Sequence, residues 1–111
     1  MSEKTLEGKL DLGVAELRWR VFPPNYNAAM VEVVLLGVIV ETFTFSNQVI
    51  MHRCDRQVGE SNVIAKVTFE PAAGPNIGKL VAEEFTCKHS GRPQQMTAYT
   101  MITWDSKGNE Q

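Results

Sequence analysis

Cysteine, histidine and net charge are all scarce in this chain, and each shortage removes a class of function. Two cysteines in 111 residues, with no Asn-x-Ser/Thr acceptor, argue against a secreted scaffold built on disulfides. Eleven Lys and Arg stand against thirteen Asp and Glu, for a formal net charge of -2 and a pI near 5.6. General nucleic-acid binding and attachment to anionic membranes need a positive surplus, so neither is expected. Arg18 with Arg20, and Arg53 with Arg56, read as solvated strand or turn residues. The most apolar stretch, Val33 to Val40, is fenced by Glu32 and Glu41 and falls well short of the roughly 20 residues of a membrane-spanning helix. The first residues alternate in charge with no apolar stretch behind them, unlike a secretory leader. The cytoplasm is the expected compartment.

Catalytic motifs are missing too. Gly74-Pro75-Asn76-Ile77-Gly78-Lys79 is one residue short between its glycines for a phosphate-binding loop, and Leu80 stands where a magnesium-binding hydroxyl belongs. There is no Gly-x-Gly-x-x-Gly, no Gly-x-Ser-x-Gly and no His-Glu-x-x-His. Glu83 and Glu84, as neighbours on a strand, are expected to face opposite ways and so to share no acid/base task. No enzymatic activity and no cofactor are expected.

What is present is β-forming sequence, 43% hydrophobic and without repeats or linkers, enough for one domain over residues 1–111. Ala15, Leu17, Trp19 and Val21 alternate with Glu16, Arg18 and Arg20, the pattern of a half-buried strand that Pro23 and Pro24 then stop. Val63, Ala65, Val67 and Phe69 alternate likewise, and Met96, Ala98, Thr100, Ile102 and Trp104 share one parity of a last strand. Met30 to Phe45 is rich in β-branched and aromatic residues, with Gly37 marking a bulge or a bend that divides it. The segment 77–89 reads as a helix capped by Asn76 or as a strand with Val81, Phe85 and Cys87 on one face. The strand is favoured because Ser90 to Gln94 can close a hairpin onto the last strand. The expected architecture is all-β, an antiparallel sandwich or small barrel of about seven strands, with at most one short helix near 77–89. The tail 105–111 is expected to fray.

Three constellations follow. Between Val33 and Val40 both parities are apolar, so a strand there needs cover on two sides. Val31, Val33, Leu35, Val38 and Val40 are therefore the candidate interface of a self-associating, non-catalytic domain, with another copy or a different protein as partner. Trp19, Tyr99 and Trp104 are the candidates for stacking a small molecule or carbohydrate in a β-barrel. His52, Cys54, Cys87 and His89 form two Cys/His pairs with i, i+2 spacing. They would meet as a zinc-type ligand set if their strands were antiparallel neighbours in register. The same cysteines are otherwise buried fillers or a disulfide, and either Cys/His pair is at most a weak nucleophile-base candidate.

Overall fold

The computed structural model describes residues 4–89, 91 and 94–111. Among them are eight strands and no helix: β1 (Leu6–Asp11), β2 (Ala15–Phe22), β3 (Ala28–Leu35), β4 (Val38–Ser46), β5 (Ile50–Val58), β6 (Ser61–Glu70), β7 (Gly78–Lys88) and β8 (Gln95–Trp104). They form two four-stranded antiparallel sheets in chain order, β1-β2-β3-β4 and β5-β6-β7-β8, packed face to face as a β-sandwich. Within the segment 77–89 the chain is a strand over Gly78–Lys88.

The alternating segments build the core. Leu17, Trp19 and Val21 of β2 and Val63, Ala65, Val67 and Phe69 of β6 are all buried, while their intervening neighbours face outward. At the end of the sandwich where β4, β6 and β8 finish, the sheets are joined by aromatic packing. Phe45 stacks on Phe69 at 5.3 Å and Phe69 on Trp104 at 6.0 Å. Offset ring contacts of this kind add about 0.5–1.5 kcal/mol each beyond the area they bury.

The eighth strand, β1, was not legible because Gly8 interrupts its pattern. That glycine lies directly opposite Trp19, and a Cβ there would sit 2.7 Å from the indole Cζ2. The residue that weakens the strand in sequence is the one that admits Trp19 against it. Gly78 and Trp104 repeat the arrangement across β7 and β8.

Two expectations need correction, one in the apolar middle and one in β7. Residues 31–40 are not one two-sided strand. Leu36 and Gly37 both take positive φ, 51° and 77°, and turn the chain tightly between β3 and β4. The break at Gly37 is the one expected from the sequence; what the sequence did not signal is that Leu36 takes a position usually filled by asparagine, held by its N–H donating to the Val14 carbonyl at 2.8 Å. Val40 is the extra residue of a bulge, left without a partner between Glu41, opposite Val33, and Ile39, opposite Val34. In β7 a second bulge between Ala82 and Phe85 reverses the parity, so Leu80 and Ala82, rather than Val81, share the inner face with Phe85 and Cys87.

The tail does not fray. Asp105 accepts the backbone N–H groups of Lys107 and Asn109, both at 2.9 Å, and these bonds hold its carboxyl below the usual carboxylate range. Gly108 lies beneath the Tyr26 ring, whose hydroxyl donates to the Lys4 carbonyl at 2.8 Å. The Gln111 N–H donates to the Thr103 carbonyl at 3.0 Å, and Glu110 bridges Trp104.

Candidate functional site

The strand register parts the four Cys/His residues. Cys54 on β5 lies opposite Ala65 and Cys87 on β7 lies opposite Val63, with β6 between them. Two inter-strand spacings, about 9.5 Å, already exceed the roughly 7 Å that a disulfide spans between Cα atoms, and both thiols are free and buried. Burial pushes both thiols up, away from the thiolate a nucleophile needs.

The histidines are farther apart still. His52 faces Val67, whereas His89 meets Ser61 at the other end of β6, about 20 Å away at the strand rise. Among the described residues no three His, Cys, Asp or Glu side chains converge on a metal position. His52 is packed between Phe43 and Phe45, at 5.4 and 5.1 Å, and its Nε2–H donates to the Thr44 carbonyl at 3.2 Å. It pins β4 to β5 across the sheets, and the Glu41–Arg56 ion pair joins the same two strands farther along.

The five candidate interface residues divide. Val31, Val33 and Leu35 are buried in the chain's own core and cannot meet a partner. Val40 is half-buried, and Val38 is 51% exposed beside Leu36 and Ile39 at the tip of the β3–β4 hairpin. The three candidate stacking aromatics do not meet either. Trp19 and Trp104 are core residues, with Trp104 Nε1 donating to the Tyr26 carbonyl at 2.8 Å, and Tyr99 stands on the outer face of β8. The space between the sheets beside Trp19, Leu17 and Ile102 is only about 10 Å³, the size of a single water.

Surface charges are locally neutralised. Arg18 pairs with Glu16 at 2.9 Å, Arg20 with Glu7 at 3.8 Å and Lys79 with Glu70 at 3.2 Å. Glu83 bonds Thr68 and lies 3.4 Å from Lys66. The bulge sets Glu83 and Glu84 together between the inward Ala82 and Phe85, so the expectation that they oppose one another fails, although neither is buried.

What stands out is β8. Among the described residues it pairs along its length only with β7, and its other edge is open over most of that length. Its inward side chains grade from Met96, 48% exposed, through half-buried Ala98, Thr100 and Ile102 to fully buried Trp104, so β8 is covered at its Trp104 end and progressively uncovered toward Met96. Tyr99, 62% exposed, and Met101 project from the opposite face. The other strands at sheet edges carry charge, with Glu7, Lys9 and Asp11 in β1, Glu41 in β4, and Arg53, Asp55 and Arg56 in β5. Strand β8, Gln95 to Trp104, has no charged residue, no proline and no glycine. Sequence reasoning found this strand and its parity but could not see that it is an edge, because strand order depends on contacts distant in the chain.

Comparison of the chain with family models, with curated proteins and with solved structures finds no significant match. The functional reading therefore rests on this geometry.

Proposed function

We propose that the chain is a non-catalytic association domain that pairs with a second copy of itself along the free edge of β8. The observation that carries this reading is an edge without charge, proline or bulge of its own, covered among the described residues only at its Trp104 end. Natural sheets block open edges with lysine, proline, bulges or covering segments, since unpaired N–H and C=O groups otherwise recruit another strand. The chain's own tail supports the point, because Glu110 and Gln111 already lie strand-like against Trp104 and Thr103 and cover the last turn of that edge.

A second copy is the fitting occupant. A neutral strand can oppose itself antiparallel with no like-charge contact, and two-fold pairing satisfies both edges at once. Pairing centred on Ala98 would set Met96 of one copy opposite Thr100 of the other and cover the uncovered part of the strand. Two free, buried thiols are compatible with a reducing compartment such as the cytoplasm. A small-molecule barrel finds less support, given the filled interior and the dispersed aromatics.

Sedimentation equilibrium of the wild type and of Tyr99→Lys tests the reading. Losing one cross-strand pair in each half of a symmetric dimer, at roughly 0.7 kcal/mol apiece, weakens association by about tenfold. A wild type that remains monomeric at high micromolar concentration overturns it, as does a Tyr99→Lys variant with unchanged association.

A further inference from the structure

We propose that the groove between the Met96 end of β8 and the β1–β2 turn holds a site for one soft monovalent metal ion, copper(I), bound by Cys87, Met96 and His89. This inference does not depend on the association of β8. Cys87 and Met96 are direct cross-strand partners on β7 and β8, and residues so opposed have Cβ atoms about 4.5–5.5 Å apart on one face. His89 follows two residues after Cys87 on the same face, as its contact with the inward-facing Ser61 confirms. All three line one groove of about 260 Å³, walled on its other side by Leu12 and Val14 of the β1–β2 turn.

The donor chemistry selects the ion. A thiolate, a thioether and an imidazole are the soft set that favours copper(I), which accepts three ligands, whereas structural zinc asks for four in a tetrahedron. Charge selects it as well. One thiolate with one monovalent ion is neutral and suits apolar walls, but a divalent ion there would leave an uncompensated charge.

The histidine is already positioned. Its Nδ1 is engaged with Ser61 Oγ at 2.9 Å, the outer-shell contact that fixes a ligating ring and leaves Nε2 for the metal. Binding forms a copper–sulfur bond and releases the Cys87 thiol proton to solvent. Copper enters as copper(I), so no electron is transferred.

The test is an anaerobic titration with copper(I) in competition with a chromogenic copper(I) chelator, on the wild type and on Met96→Leu, Cys87→Ser and Cys54→Ser. The expected result is one equivalent bound and the loss of that binding in Cys87→Ser. Met96→Leu, a conservative change at a half-exposed position, is expected to weaken affinity at least tenfold while circular dichroism stays unchanged. Cys54→Ser is expected to bind like the wild type. Failure of the wild type to compete with the chelator, equal affinity in Met96→Leu, or loss of binding in Cys54→Ser overturns the site. Retention of copper by Tyr99→Lys would show that the site stands apart from self-association, and its loss there would overturn that independence.

Discussion

Replacing Gly78 with alanine is expected to destabilise the fold, against the usual direction for glycine in a strand. Elsewhere, Gly→Ala at a compatible backbone gains about 0.5–1 kcal/mol by restricting the unfolded chain. Here a Cβ would stand 2.8 Å from Trp104 Cζ2 and nearer still to Cε2 and Nε1. Trp104 is fully buried, so the indole has nowhere to retreat without disturbing Phe69, against which it stacks, and its bond to the Tyr26 carbonyl. Overpacking of this kind costs about 1–3 kcal/mol and a weakened buried hydrogen bond about 1 more, so the net loss is about 1.5–3 kcal/mol after the entropic gain. Urea denaturation of the wild type, Gly78→Ala, Trp104→Phe and the double variant measures it. The coupling is expected to be favourable, with Gly78→Ala costing at least 1 kcal/mol less once the indole is trimmed. A Gly78→Ala protein as stable as the wild type or more so, or additive single changes, would refute the argument that the glycine exists to receive the tryptophan.

The core assignment of the β3 valines separates stability from association. Val33→Ala is expected to cost about 2–3 kcal/mol of unfolding free energy, while Val38→Ala at the exposed hairpin tip changes it by less than about 0.5 kcal/mol, as thermal or urea unfolding can show. The docked tail is expected to respond to acid. Because the folded pKa of Asp105 is depressed, its contribution is complete above the unfolded value near 3.9 and is lost as the pH falls through the folded value. Amide exchange at Asn109 and Gln111 should therefore stay slow at neutral pH, after correction for intrinsic rates, and rise below about pH 4. Asp105→Asn should show the faster exchange at neutral pH as well.

The legibility of the fold followed the locality of its causes. Strands β2 and β6 could be read directly, because strict alternation over Ala15 to Val21 and Val63 to Phe69 reports burial on one face without reference to the rest of the molecule. Strand β1 was hidden by Gly8, whose purpose lies in Trp19 on another strand. Gly37 announced a break in the apolar stretch, but the tightness of the turn was hidden, because Leu36 adopts a positive φ there under the hold of the Val14 carbonyl, a contact outside the local window. The bulges at Val40 and Glu83 shifted parity in ways that composition does not announce.

The candidate site was legible in parts. The composition of β8 and the spacing of Cys87 and His89 were plain, but the open edge and the pairing of Cys87 with Met96 are properties of register. The supposed union of His52 and Cys54 with Cys87 and His89 failed for the same reason, since β6 separates strands that the sequence alone allowed to be neighbours.

Nuclear magnetic resonance on a mixture of isotope-labelled and unlabelled copies addresses the association most directly, by detecting proton contacts that cross from one copy to the other. The account requires intermolecular Hα contacts within Gln95–Ile102, symmetric about Ala98, that vanish in Tyr99→Lys. Intermolecular contacts confined to Leu36–Ile39, or none at concentrations of several hundred micromolar, would contradict it.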